Sequence, residues 1–162
     1  MTLDGASIER LYRSHGHLVL RRARLLLGSE PDAQEALQEV FASLLRAPDK
    51  LRSASSAVGW LYQATTHYCL NQLRNRRTGA RLLQDRGPAA LRPAAAPSAG
   101  ALSELRSLLA RMPAQAAAAA VYHHMDGMTH AEVAEMLGCS RRQVGYLLER
   151  AQRSLERWEQ SA

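Results

Sequence analysis

Residues 125–155 read MDGMTHAEVAEMLGCSRRQVGYLLERAQRSL, and this stretch decides the fold of the C-terminal part of the chain. Two places in it match the capping-box pattern, a Ser or Thr followed three residues later by Glu or Gln: Thr129 with Glu132, and Ser140 with Gln143. Two helices are therefore predicted to begin about eleven residues apart. Gly138 lies between them and can adopt the left-handed conformation of a sharp turn. The stretch predicts a helix-turn-helix.

Apolar residues around the two caps have the spacing that closes a small core between such helices; they are Val133, Leu137, Cys139, Val144 and Leu147. The second helix of the motif enters the major groove of DNA with its first turn foremost. Arg141 and Arg142 occupy that turn, where the helix dipole disfavours cations, so an anionic partner is expected. A solvated helix start is the alternative interpretation. The predicted DNA surface comprises Ser140, Arg141, Arg142, Tyr146 and Glu149, with Arg150 and Arg153 on phosphates.

The rest of the chain is predicted to be helical as well. Apolar periodicity indicates helices over 6–27 before Gly28, over about 31–46 before Pro48, from Ser55 or Ser56 to Gly79, over 101–112, and from Pro113 to Met125. Residues 47–56 have loop composition, and Pro- and Ala-rich residues 80–100 indicate a linker. We predict an all-α fold of two small helical domains, 1–79 and 101–162, joined by the flexible linker 80–100, the second domain being the helix-turn-helix.

Composition and charge favour a nucleic-acid partner. The 162 residues carry a net charge of +6, and Lys50 is the only lysine among 21 basic residues. Arginine suits forked contacts to phosphate and base edges. Six arginines against one acid between Arg74 and Arg92 concentrate this charge in one segment. A membrane surface is the second choice of anionic partner. No stretch resembles a membrane span or a signal peptide, so we expect a cytoplasmic protein without membrane insertion, in which Cys69 and Cys139 are buried thiols.

Two other classes of function receive little support. An enzyme would have to use His123, His124 and His130, or Cys139 with a histidine. Neighbouring His123 and His124 are expected on different helix faces, and neither metal-ligand spacing nor a glycine-rich phosphate loop occurs. We therefore expect no enzymatic activity, no cofactor and no metal. An interaction or membrane-surface module would rest on charge and amphipathic helices alone, and these helices have core-forming patterns.

With both halves described, the chain resembles the sigma-70 family, and within it the extracytoplasmic-function (group IV) sigma factors of RNA polymerase. HLVLRRARLLLGSEPDAQEALQEVFASLLR (17–46) is similar to the start of the family's region 2, and GWLYQATTHYCLNQLRNRR (59–77) to its promoter-melting part. Residues 125–155 are similar to region 4. The resemblance implies a sigma factor that binds core RNA polymerase and directs promoter recognition and melting, with no catalytic residue of its own.

The resemblance also implies roles for particular residues. The surface for the clamp helices of the polymerase beta-prime subunit is Asp32, Glu35, Gln38 and Glu39, for which an ordinary solvated acidic face is the alternative. Contacts to the minus-ten element fall on Lys50, Arg52, Ser53 and Ser55 in a base-pocketing loop, on Trp60, Gln63, His67 and Asn71, and on the basic tail Arg74, Arg76 and Arg77. The DNA surface of the helix-turn-helix matches the part that reads the minus-thirty-five element. The beta flap and an anti-sigma protein are further implied partners.

Some positions depart from the family pattern. The family usually has Asn at His67, Asp at Asn71, and basic residues near Gly145 and Leu147. The loss of the two basic residues weakens the expected phosphate contact, for which Arg141 and Arg142 are the candidate replacements. Trp60 lies on an apolar stripe that suits a core position equally well. The rival interpretation is a sigma-like DNA-binding regulator that does not support initiation. The run from Ala114 to Ala120 carries almost no side-chain functionality and has no functional explanation at this level.

Overall fold

A computed structural model describes residues 4–51, 56–86 and 100–161 of the protein. These residues form helices and no β-strand, which confirms the all-α fold class. The helices are α1 (Gly5–Leu27), α2 (Glu30–Arg46), α3 (Ala57–Arg86), α4 (Ala101–Arg111), α5 (Ala114–Ala120), α6 (His130–Leu137) and α7 (Arg141–Ser161). A 3-10 turn, Pro48–Leu51, follows α2, and a π-helical turn, Val121–Met125, continues α5. Two compact units, Met1–Cys69 and Leu70–Ala162, divide within α3.

Helices α1 and α2 form an antiparallel hairpin closed by a short turn. Gly28 ends α1 in the left-handed conformation at φ 68°, and its N–H donates to the Arg24 carbonyl at 2.9 Å. Ser29 caps α2 by accepting a hydrogen bond from the N–H of Asp32. Arg24 donates two hydrogen bonds to the Glu30 carboxylate, at 2.7 and 2.8 Å, and these bonds, with a third from Gln34, lower the pKa of Glu30 to about 2. The turn predicted at Gly28 is confirmed.

The core of the first unit is built from one apolar face of each of its helices. Its buried members are Ile8, Val19, Leu37, Val40, Phe41, Leu44 and Leu61. Burying an aliphatic or aromatic side chain of this size stabilises a fold by about 1.5–3 kcal/mol. The Tyr12 ring packs edge-on against Phe41 with centroids 5.0 Å apart, and Gly16 admits the Leu37 side chain beside it. This packing leaves the other face of α2 exposed.

The predicted end of the third helix at Gly79 was wrong. Helix α3 continues to Arg86, so residues 80–86, which were assigned to the linker, are helical. Gly79 keeps a right-handed conformation, unlike Gly28 and Gly138, and a helical glycine costs only about 1 kcal/mol relative to alanine. That cost does not end a helix whose neighbouring residues favour it. Ser56 caps the start of α3, since its Oγ accepts from the Gly59 N–H at 2.9 Å.

The alanine run of α5 is packed inside the second unit. Helix α5 packs against α7, and Ala116, Ala117, Ala118 and Ala119 have no exposed surface. Small side chains let the two helix backbones approach closely, and they supply the apolar surface of the contact. Ala151 of α7 is only 4% exposed. The absence of functional groups over 116–120 is thus a packing requirement of this unit, whereas Ala114 and Gln115 are exposed.

Candidate nucleic-acid interface

The helix-turn-helix has the two helix starts predicted from its capping residues. The Glu132 N–H donates to Thr129 Oγ1 at 3.2 Å, and the Thr129 N–H donates to the Glu132 carboxylate at 2.8 Å, which completes a capping box. Helix α6 ends at Gly138, with φ 67°. The Gln143 N–H then donates to Ser140 Oγ at 3.0 Å, so Ser140 starts α7. A tight turn therefore fixes the direction of α7 relative to α6.

The small core of the motif differs in part from the predicted one. Val133 and Val144 have no exposed surface, and Leu147 is 3% exposed, as expected. Leu137 and Cys139 are only half-buried, so the prediction that they are core residues, and that Cys139 is a buried thiol, was wrong. Both residues flank Gly138 at the turn, where the chain runs at the surface. Leu147 supports α7 from inside and is not available for the DNA contact that a basic residue near this position would make.

The exposed face of α7 carries every residue predicted to contact DNA in this motif. Ser140, Arg141, Arg142, Tyr146, Glu149, Arg150 and Arg153 are all exposed. Ser140 Oγ already accepts the capping bond, but its hydroxyl hydrogen can still be donated. The Arg142 guanidinium lies 5.9 Å from the centroid of the Tyr146 ring, and Arg153 lies 3.7 Å from the Glu149 carboxylate. The first turn thus presents two cations, followed by an aromatic ring.

The exposed face of α2 carries the residues predicted to bind polymerase. Glu35 and Gln38 are exposed, whereas Asp32 and Glu39 are half-buried. Glu39 also accepts a hydrogen bond from Arg46 at 2.6 Å, an ion pair that the sequence argument missed. The two residues are seven positions apart, two helical turns, which is outside the i,i+4 pairing that a sequence shows. Glu35 and Gln38 are therefore the most accessible members of the set.

Tyr68 of α3 borders this acidic face, although sequence reasoning assigned it only to the apolar stripe of its helix. Burial raises the pKa of the Tyr68 hydroxyl, and the negative charges of Glu35, Glu39 and Asp32 raise it further. The phenol therefore stays neutral beside these carboxylates. Its signal in the sequence was a polar tip on an otherwise apolar stripe, which alone does not identify a surface.

Residues of α3 form one polar stripe on the side predicted to meet the minus-ten strand. At about 100° per residue, Gln63, His67, Asn71 and Arg74 project on the same side of the helix. His67 and Asn71 are exposed, and Arg74 donates to Asn71 Oδ1 at 3.5 Å.

Other residues assigned to the minus-ten contact surround this stripe or lie elsewhere on the chain. Trp60 continues the stripe but is half-buried and packs against the core of the first unit, so its ring is a core element on one side. Arg76 is exposed, Arg77 is half-buried and Lys50 is exposed in the 3-10 turn. Arg52, Ser53 and Ser55 lie outside the described residues.

An apolar groove lies in the second unit, on the side of α7 away from Arg142 and Tyr146. Its volume is about 160 Å³. Aliphatic and sulfur-containing side chains of α4, the π-helical turn and α7 line it, chiefly Leu105, Leu108, Met112, Val121, Met125 and Leu155. A groove of this kind can accept an apolar side chain or helix face of another molecule.

The three histidines considered for an enzyme do come together. The His123 ring lies 4.8 Å from the His124 ring and 5.1 Å from the His130 ring, all edge to face, although the first two were expected on different helix faces. His123 Nδ1 donates to the Met128 carbonyl at 2.7 Å. Across the described residues, no three His, Cys, Asp or Glu side chains are arranged to hold a metal ion. Across the same residues, no helix is both long and apolar enough to span a membrane.

Comparison with known proteins identifies the family. Residues 11–78 match the family model of Sigma-70 region 2, and residues 102–155 match that of Sigma-70, region 4. The ECF RNA polymerase sigma factor SigM of Mycobacterium tuberculosis is 32% identical over 155 residues, which cover 95% of this chain and 78% of SigM. The sigma factor SigE of Mycolicibacterium smegmatis is 27% identical over 141 residues, covering 82% of this chain and 53% of SigE.

Two solved structures share the fold. One is the sigma factor RpoE in complex with the anti-sigma factor NepR from Bartonella quintana, with a TM-score of 0.54, 17% identity, and coverage of 92% of this chain and 94% of that one. The other is CnrH in complex with the cytosolic domain of CnrY, with a TM-score of 0.57, 22% identity, and coverage of 98% and 90%. The chain belongs to the extracytoplasmic-function sigma factors of the sigma-70 family, the sigma factors that act in transcription initiation.

Proposed function

We propose that the chain has two functional parts, the residues up to the end of α3 at Arg86 for core polymerase and the minus-ten element and residues 101–162 for the minus-thirty-five element, joined by the residues between them. The observation that carries the proposal is the first turn of α7. Arg141 and Arg142 follow a capped helix start and stand exposed on a helix whose other side is the buried core of the motif. Such a turn is the part of a helix-turn-helix that meets base edges.

Core polymerase binds the exposed face of α2 through its beta-prime clamp helices in this proposal. Glu35 and Gln38 are accessible as they stand, and Asp32 lies beside them at the start of the helix. Glu39 is engaged with Arg46, so it joins the contact only when that ion pair opens. A surface with this charge favours a basic partner and speeds its association.

Helix α3 and the loop before it hold the melted minus-ten strand. The stripe of Gln63, His67 and Asn71 offers hydrogen-bond partners to unpaired bases, and Arg74, Arg76 and Arg77 supply charge for the phosphates. The packing of Trp60 against the core keeps its ring fixed, so its exposed side serves as a rigid support for a base. Lys50, together with Arg52, Ser53 and Ser55, receives a flipped base.

The apolar groove of the second unit is the proposed contact for the beta flap and for an anti-sigma protein. It faces away from Arg142 and Tyr146, so a protein partner can occupy it while α7 contacts DNA. RpoE and CnrH, which share the fold, were solved with NepR and with CnrY, and we propose a partner of the anti-sigma class for this chain too. The protein acts in the cytoplasm, without a cofactor or catalytic residues, because the polymerase forms the bonds.

Transcription in vitro tests the proposal. Core polymerase with the full chain should initiate from a promoter carrying both elements, and core polymerase alone should not. A chain in which Arg141 and Arg142 are both replaced by Ala is the matched control, which should bind core polymerase but lose its dependence on the minus-thirty-five element. Promoter binding without any transcript would support the rival, a regulator that occupies DNA and does not support initiation.

A further inference from the structure

Gly145 lies in α7, and nothing in the part of the chain that the structure describes requires glycine there. Its backbone is helical, with no positive φ, and a Cβ added at this position would meet no atom of the described residues within 4 Å. Two other glycines have internal reasons: Gly138 takes the left-handed conformation, and a Cβ at Gly59 would come within 2.8 Å of Ser56 Oγ. Glycine is among the least favourable residues in a helix interior. The helix therefore carries a local weakness that its own packing does not explain.

The position of Gly145 on the helix places this weakness in the middle of the DNA face. At about 100° per residue, Gly145 projects between Arg141 and Arg142, away from buried Val144 and Leu147. The Arg142 guanidinium is drawn over the Tyr146 ring, 5.9 Å from its centroid. A side-chain-free gap is left, with Arg141 on one side and the Arg142–Tyr146 pair on the other.

We propose that this gap is where α7 comes closest to promoter DNA, with a base edge of the minus-thirty-five element in van der Waals contact with the Gly145 backbone. The inference rests on the proposed function of α7. Glycine is the residue that lets a backbone approach a ligand closely. The gap lets the helix sit deeper in the groove, so that the arginines on its two sides reach the neighbouring base pairs. The Cα hydrogens of Gly145 can make van der Waals contact with the C5-methyl group of thymine, the apolar feature of the major groove.

The substitutions Gly145→Ala and Gly145→Ser test the gap, because each adds a Cβ where DNA would lie. Gly79→Ala is the matched control, a helical glycine with equally open surroundings on α3. Full-length variants are assembled with core polymerase, and affinity is measured on promoters that keep the minus-ten element and vary the minus-thirty-five element. Thermal melting of each free variant is recorded alongside.

Both alanine variants should melt a few degrees higher than the wild type, because alanine favours the helix. Only the Gly145 variants should lose affinity, by about tenfold or more, which is the scale of one well-placed base contact. The loss should concentrate at one or two base pairs. Wild-type affinity in Gly145→Ala and Gly145→Ser would overturn the inference and leave the proposed function standing. A wild-type complex that ignores the minus-thirty-five element altogether would overturn both.

Discussion

Replacing the arginines of α7 one at a time should separate base reading from phosphate contact. Arg141 and Arg150 are nine residues apart, which places their Cα atoms about 13.5 Å apart along the helix axis at about 1.5 Å per residue. The major groove is about 8.5 Å deep, and the helix enters it with its first turn foremost. When the first turn of α7 lies in the groove, Arg150 is therefore at its rim, beside the phosphates.

The expected costs follow from these positions. A guanidinium that forks onto a guanine contributes about 1–3 kcal/mol of discrimination, so Arg141→Ala or Arg142→Ala should weaken binding about 5- to 150-fold at one or two base pairs. Arg142→Ala also removes the contact with the Tyr146 ring, worth about 0.5–1 kcal/mol at an exposed site. Arg150→Ala should weaken binding evenly across sequences and reduce the slope of log affinity against log salt by about 0.9.

The assay is the affinity of the reconstituted polymerase complex for a panel of minus-thirty-five variants at several salt concentrations. Arg141 and Arg150 are exposed, so their alanine variants should keep the melting temperature of the wild type, which serves as the folding control, and Arg142→Ala should lower it by a few degrees because the Tyr146 contact is lost. If Arg141→Ala and Arg142→Ala lose the same affinity for every minus-thirty-five variant, this turn of α7 does not read bases. Specificity would then have to come from Tyr146, Glu149 or the shape of the DNA.

Three further predictions concern docking, capping and pH. Replacing both Asp32 and Glu35 by Arg should lower affinity for core polymerase by about 100-fold or more, because it places like charges in the interface. The control Glu9→Arg, on α1, should have no effect. Equal affinities of the double variant and the wild type in a binding titration would remove the docking assignment. Thr129→Ala should destabilise the second unit by about 1 kcal/mol, seen as a lower melting temperature, since it removes one half of the capping box. The ion pair with the last turn of α1 holds the pKa of Glu30 at about 2, so its stabilisation is complete above about pH 4.5 and is lost as the pH falls toward 2. The free energy of unfolding, measured with denaturant across that pH range, should depend less on pH in Glu30→Gln than in the wild type. The same pH dependence in both proteins would contradict the stabilising role of Glu30.

The sequence predicted correctly those structural features that depend only on neighbouring residues. The capping residues Thr129 and Ser140 and the turn glycines Gly28 and Gly138 act within one helical turn, and the structure confirms them. The exposure of the α7 face followed from helical periodicity alone. These features made the helix-turn-helix readable before its packing was known.

Features that depend on packing between distant segments could not be predicted from the sequence. Gly79 looked like a helix end, but a glycine stops a helix only when it takes the left-handed conformation, which composition does not show. The burial of the alanine run became evident only with α7 packed against α5. The pairing of Glu39 with Arg46 and the approach of Tyr68 to the acidic face likewise depend on side-chain positions across two helical turns or two helices.

Transcription from a randomised promoter library is the measurement that tests the central claim most directly. Core polymerase is supplied with the full chain, and the transcribed templates are sequenced. We expect two enriched elements at a fixed spacing. When Arg141 and Arg142 are both replaced by Ala, the upstream element should be lost and the downstream element retained. Transcripts without any enriched element, or no transcripts above those of core polymerase alone, would contradict it.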